Sequence, residues 1–207
     1  MAARKILKVL AGLAGLLVCG LLALYLYISW NLPSVDILKS GEGLRGLLQV
    51  DDQPPPEVAL LPLEALPPHL VNAFIAANAD FPGAFKKGLA HRLLTSRQAK
   101  YGHLEGAVLQ LNIALFLTPE EILEAWLATA YFGKNIFGVS AAAEKYHGKP
   151  LSELTLCEGA VLASIPKASI YNPVDYPDRA KERQQAVLEE MLRLGLIGEA
   201  DRRACGR

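Results

Sequence analysis

Residues 118–173 read TPEEILEAWLATAYFGKNIFGVSAAAEKYHGKPLSELTLCEGAVLASIPKASIYNP, and two helix starts are written into this stretch. Thr118, Pro119 and Glu121 supply a capping hydroxyl, a proline at the first helical position and a carboxylate that can reach back to the cap's own N–H. Thr155 and Glu158 repeat the same box just before Gly159, Ala160, Val161, Leu162 and Ala163. Nowhere does the stretch alternate apolar and polar residues in the sustained way that a half-buried strand requires.

The helical pattern continues on both sides. Between His103 and Leu117, Leu104, Val108, Leu111 and Leu115 recur at helical spacing and predict a buried stripe. From about Asp178 to Leu194 a second stripe is formed by Val187, Met191 and Leu194, with Gly195 as a stop. The expected fold is mainly α, and the chain shows no internal repeat.

Further towards the N-terminus the composition changes. Val9 to Ile28 is twenty residues without a charge, which as a helix spans roughly 30 Å, the thickness of a bilayer's hydrocarbon core. Tyr25, Tyr27 and Trp30 stand at its far end, where amphipathic rings favour the interface. Arg4, Lys5 and Lys8 precede it, predicting a single-pass anchor in the cytoplasmic (inner) membrane, N-terminus inside and the rest periplasmic or extracellular. The bulky residues after Leu24 do not resemble a signal-peptidase site. Residues 1–30 are therefore read as the cytoplasmic N-terminus and anchor, and 67–207 as the helical domain. Between them, residues 31–66 hold Pro54, Pro55, Pro56 and Pro62 and read as a Pro-rich stalk, extended or irregular. The competing reading has Leu60, Leu61, Leu63 and Leu66 packing on the domain or the membrane surface.

Charge and cysteine content exclude several classes. The 21 basic and 21 acidic residues balance, and without the three N-terminal cations 18 basic face 21 acidic residues. A body of about −3 is not that of a nucleic-acid binder. The three cysteines do not make a disulfide framework. Cys19 lies in the apolar run, Cys157 reads as a small apolar helix residue, and pairing of Cys157 with Cys205 is left open. No two Cys or His residues have metal-ligand spacing.

The second half resembles the peptidoglycan glycosyltransferases, the enzymes that polymerise lipid II into glycan strands. Glu120-Glu121-Ile122-Leu123-Glu124 followed by Tyr131-Phe132-Gly133 is similar to that family's helix and its Tyr-Phe-Gly turn. Gly138-Val139-Ser140-Ala141-Ala142-Ala143, Tyr146 and Gly148-Lys149 resemble its next stretch. Leu151 to Leu156, Ile165-Pro166-Lys167-Ala168, Tyr171-Asn172-Pro173 and Pro177-Asp178-Arg179-Ala180 continue the match in order. Upstream, Leu66-Pro67-Pro68-His69-Leu70 leading into Ala73-Phe74-Ile75-Ala76-Ala77 resembles the family's entry segment. The resemblance implies a lysozyme-like fold ending near Arg207, with no transpeptidase domain following.

It also implies a chemistry for which the residues are missing. The family's reaction needs a carboxylate to deprotonate the acceptor hydroxyl, cations to stabilise the departing pyrophosphate and a second acid. The position of the first carboxylate falls on Asn78, followed by Ala79, and Asn cannot accept a proton at useful pH. Leu94-Thr95-Ser96-Arg97-Gln98-Ala99-Lys100 retains a fragment of the next motif without its paired glycines, and the following segment is about a dozen residues shorter. Running back without gaps from Tyr131-Phe132-Gly133 places the second acid on Gly106 and the family's Arg on Gly102. The substitutes nearby are Asp80 and Glu105, and Lys86, Lys87, Arg92, Arg97 and Lys100 could line a cationic groove. His91 and His103 read as surface or capping residues, Tyr146, Trp126 and Phe132 as core.

These residues favour a glycosyltransferase-like accessory or scaffold protein without activity, in cell-wall assembly. The alternative is an atypical enzyme polymerising lipid II with relocated acids. Expected partners are membrane lipid, lipid II or a glycan strand, and other cell-wall assembly proteins, with no nucleic acid. No cofactor is expected, and a divalent cation only if the protein is active.

Overall fold

In the computed structural model the described residues are 2–48, 58–78, 80–96, 102–167 and 171–206. The chain opens with α1 (Ala2–Asn31), of which Leu10–Asn31 is long and apolar enough to cross a membrane. A 3-10 turn (Val35–Lys39) and α2 (Gly41–Leu48) follow directly. The body comprises α3 (Pro68–Ala77), α4 (Gly83–Thr95), α5 (His103–Phe116), α6 (Pro119–Thr129), α7 (Val139–His147), α8 (Leu156–Ser164), α9 (Pro177–Arg193) and α10 (Glu199–Ala204). Among the described residues, extended pairing is limited to one bridge between Tyr131 and Phe137. The expected mainly α fold is what the chain adopts.

Both capping boxes form. Thr118 Oγ1 accepts from the Glu121 N–H at 3.2 Å while Glu121 accepts from the Thr118 N–H at 2.7 Å. Thr155 and Glu158 do the same at 3.3 and 2.8 Å. Around the starts so fixed, α3, α8 and α9 pack together through Leu70, Ala73, Leu162, Leu188 and Met191, all buried. Gly159 permits the closest approach, since a Cβ there would lie 3.3 Å from Leu70 Cδ1. A second cluster of rings joins α3, α4 and α6: Phe85 and Trp126 have centroids 4.5 Å apart, and Phe74 and Trp126 5.9 Å. Phe132 is buried, and Tyr146 donates to its carbonyl at 2.7 Å. Gly138 sits at φ +84°, with Ala128 O only 2.9 Å from where a Cβ would stand. The loop between α6 and α7 therefore needs glycine at this point.

Two sequence expectations need correction, and one question left open is settled. Residues 35–48 are helical and folded onto the body, not an extended stalk. Ser34 caps the 3-10 turn by accepting from the Asp36 N–H at 3.2 Å. Leu38, Leu44, Leu47 and Leu48 are buried, a three-and-four spacing that the neighbouring prolines obscured. The competing reading of residues 58–66 holds: Leu66 is buried, Leu60, Leu61 and Leu63 pack against the core, and the Leu63 N–H donates to Glu124 at 2.9 Å. Pro54, Pro55 and Pro56 lie outside the described residues.

The second correction concerns α5. Its buried side is Val108, Leu109, Asn112 and Ile113, whereas Leu104, Leu111 and Leu115 of the expected stripe are exposed. The question left open concerns the thiols. Cys157 and Cys205 form a disulfide that ties the first turn of α8 to the residue after α10. Cys19 remains free and exposed.

Candidate functional site

The two positions on which the resemblance places the family's acids belong to different parts of the body. Asn78 closes α3, and its side-chain amide donates to Phe74 O at 2.9 Å, back along the helix. Gly106 lies in the second turn of α5 and faces α4, where a Cβ would meet Leu94 Cδ1 at 3.9 Å. Where the resemblance expects two carboxylates, the chain therefore presents an amide and an open space.

Neither substitute acid replaces them. Asp80 is exposed just ahead of α4, with its carbonyl accepting from the Ala84 N–H at 2.8 Å and its carboxylate against Gly83. Glu105 is half-buried, and its Oε2 accepts from the Gly102 N–H at 3.0 Å, closing the N-terminus of α5. Helices α4 and α5 pack antiparallel, Gly106 beside Leu94 near one end and Asp80 beyond the other. From Gly83 to Leu94 the 1.5 Å rise per residue gives about 16 Å of helix. In glycoside hydrolases the two carboxylates stand roughly 5–9.5 Å apart.

Between α4 and α5 lies a cavity of about 360 Å³ lined by Lys87, His91, Leu94, Gly102, His103 and Gly106, among others. Its ionisable lining groups are one ammonium and two imidazoles. The absence of side chains at Gly102 and Gly106 is what opens it. Lys86, on the neighbouring register of α4, is half-buried and does not line it. Arg92 turns the other way, its guanidinium 5.3 Å from the centroid of Phe137, and burial pulls its pKa below the ordinary value. Arg97 and Lys100 lie outside the described residues. The structure thus brings Lys87, His91 and His103 to one cleft and separates them from Lys86 and Arg92.

One cation beside Asn78 escaped the sequence reading. Arg183, half-buried on α9, reaches Ala77 O at 3.4 Å, at the negative end of α3. Its Nε is buried without a hydrogen-bond partner among the described residues. The signal was available: Arg183 precedes Val187 by four residues and so shares the inward stripe of α9. Away from the cleft, Lys149 and Glu158 form an ion pair at 2.6 Å. Burial alone would raise the Glu158 carboxyl, but Lys149, Thr155 and the Thr155 N–H overrule it and bring the pKa to about 2.

The helix order, the ring cluster and the cleft between α4 and α5 define a lysozyme-like transglycosylase domain with an apolar helix before it. The chain belongs to the transglycosylase family, whose model matches residues 87–192. It is 30% identical over 237 residues to penicillin-binding protein 1A of Pseudomonas aeruginosa, covering 94% of this chain and 29% of that one. With penicillin-binding protein 1A of Escherichia coli it shares 32% over 212 residues, covering 84% and 25%. The crystal structure of penicillin-binding protein 1A from Haemophilus influenzae superposes with a TM-score of 0.50 at 29% identity, over 72% of this chain and 17% of that one. The chain thus spans less than a third of the length of these relatives. The apolar first helix together with these relatives points to membrane anchoring.

Proposed function

We propose that this protein is a membrane-anchored member of the transglycosylase family that binds a lipid-linked glycan or a glycan strand without polymerising it. It acts as an accessory or scaffold in peptidoglycan assembly. One observation carries this reading: an amide at Asn78 and no side chain at Gly106, with Asp80 and Glu105 held at opposite ends of the α4–α5 pair. A general base must reach the proton it removes, and Glu105 is already spent on the α5 N-terminus. Binding needs less. Lys87 at the cavity and Arg183 beside α3 supply positive charge for a pyrophosphate-bearing ligand, and the ring nitrogens of His91 and His103 line the same cavity. Such binding calls for no cofactor.

Two independent features support an orientation with the N-terminus inside and the domain outside. Arg4, Lys5 and Lys8 favour a cytoplasmic N-terminus. The Cys157–Cys205 disulfide suits a domain in an oxidising compartment, on the outer face of the membrane.

The test is glycan polymerisation from lipid II by the full-length protein in detergent, beside an Asp80→Ala, Glu105→Ala double variant, with lipid II binding measured on the same samples. Retention of lipid II without polymer from either protein supports the proposal. Polymer from the parent and none from the variant overturns it and establishes an enzyme with relocated acids.

A further inference from the structure

A cavity of about 360 Å³ opens where α8, α9 and the end of α10 converge. Cys157 and Cys205, joined as a disulfide, both line it. Val161 of α8 and Pro177 and Ala180 of α9 form apolar walls, and Lys181 brings an ammonium group to them. The cavity shares no lining residue with the α4–α5 cleft, and neither Asn78 nor Gly106 belongs to it. A disulfide that faces an open cavity is within reach of an attacking thiolate, whereas one sealed in packed side chains is not. Access of this kind separates exchangeable bonds from permanent ones.

The two sulfurs are not equivalent. Cys157 is the second residue of α8, after the Thr155 cap and Leu156, where the N–H groups of the first turn favour negative charge. The neighbouring carboxylate, Glu158, is already engaged by Lys149 at 2.6 Å and by the Thr155 N–H at 2.8 Å. Lys181 adds positive charge from α9, one turn before Gln184, whose amide donates to Cys157 O at 2.7 Å. Cys205 stands instead at the C-terminal end of α10, where backbone carbonyls disfavour a thiolate. The cations beside it, Arg202 and Arg203, are paired with Glu199 at 3.1 and 3.6 Å. In exchange the sulfur that departs is the one whose thiolate is better stabilised. Attack therefore falls on Cys205 Sγ and releases Cys157.

We propose that the Cys157–Cys205 bond is a reversible exchange site for a dithiol protein in the compartment that the domain faces. The reductant's thiolate attacks Cys205 Sγ, forming a mixed disulfide and expelling the Cys157 thiolate, which takes a proton from solvent. The reductant's second thiol loses its proton, attacks its own partner sulfur and expels Cys205, which is protonated in turn. The dithiol is oxidised to a disulfide as the two cysteines become thiols, two electrons and two protons changing hands. The fold tolerates the open state. None of the residues of α10 is buried, and Leu70, Leu162, Leu188 and Met191 close the packing of α3, α8 and α9 without it. Ile197 packs against the core just before α10, so the freed segment begins at Gly198. Its release by local unfolding uncovers the walls formed by Val161, Pro177 and Ala180. The C-terminal face of the domain thus has two states, set by the redox state of one bond.

The test uses the full-length protein in detergent, in a Cys19→Ser background, with thioredoxin as the dithiol. Free thiols are followed by alkylation and mass spectrometry under native conditions. The expected result is a reduction rate that rises linearly with thioredoxin concentration, with helix content by circular dichroism unchanged. Trypsin should cut after Arg202 and Arg203 only in the reduced protein. Thioredoxin with its second active-site cysteine replaced by serine should be trapped on Cys205. A Lys181→Glu variant should be reduced about 3–10-fold more slowly, as the leaving thiolate loses its cation, with an unchanged Tm. A rate that stays level as thioredoxin rises overturns the proposal, because the bond is then reached only after global unfolding. Reduction of the urea-unfolded chain but not of the native one overturns it as well. So does loss of helix on reduction, since the open state is then not a folded one. Trapping on Cys157 overturns the assigned direction of attack.

Discussion

Breaking the Cys157–Cys205 disulfide tests how the C-terminus is held. The bond joins residues 48 apart in sequence, so in the chain-entropy treatment it removes about 14 cal/mol/K from the unfolded ensemble, about 4 kcal/mol at 25 °C. Little else fastens α10. None of its own residues is buried, Cys205 just beyond it is, and the ion pairs of Arg202 and Arg203 with Glu199 are local, largely solvent-screened and therefore weak. A Cys157→Ser, Cys205→Ser double variant is expected to lose about 2–4 kcal/mol, because replacing the sulfurs leaves the packing of α8 on α3 and α9 untouched. For a chain of this size that lowers Tm by about 5–15 °C. Thermal unfolding followed by circular dichroism in detergent, with and without reductant, measures it. Reductant should lower the parent's Tm by a similar amount and leave the variant's unchanged. A variant within about 1 °C of the parent would refute the reasoning, showing that the α8–α10 contact survives without its covalent tie.

Four further outcomes are expected. Glu158 has its carboxyl lowered from 4.5 to about 2, so the stability it contributes is present above pH 4.5 and disappears as pH falls towards 2. Glu158→Gln should cost about 1–2 kcal/mol at pH 7 after allowance for solvent screening and flatten the acid limb of a Tm-against-pH curve, and an unchanged limb would refute the assignment. Burial lowers the pKa of His147 from 6.5, so the parent should also lose some stability as pH falls through about 6.5, and a His147→Gln variant should not. Gly138→Ala forces a Cβ to within 2.9 Å of Ala128 O at positive φ and should destabilise by about 1–3 kcal/mol, read by denaturant unfolding. Asn112→Ala strands the Tyr25 hydroxyl and should cost about 1–3 kcal/mol in the same measurement.

The helix starts were legible because a capping box is local: Thr118 with Glu121, and Thr155 with Glu158, satisfy backbone donors a few residues away whatever surrounds them. The service of Glu105 to Gly102 was not, although the spacing matches a capping box, because a glycine cap carries no side chain to advertise it. Arg183 was overlooked because its partner, Ala77 O, lies 106 positions away in sequence. The disulfide was left open for the same reason: Cys157 and Cys205 meet only after α9 has turned the chain back.

By itself the sequence determined the helical class, the apolar first helix and the family resemblance, all carried by residue identity or short-range spacing. The tertiary structure decided which surfaces those helices show. The stripe of α5 read as core because hydrophobic periodicity records only that a face is apolar, not what lies against it. Only the placement of Asn112 against Tyr25 and Ser29 turned Leu104, Leu111 and Leu115 outwards, and only the antiparallel packing of α4 on α5 set Asp80 and Glu105 apart. Distances between residues remote in sequence are fixed by packing, and a catalytic pair is such a distance.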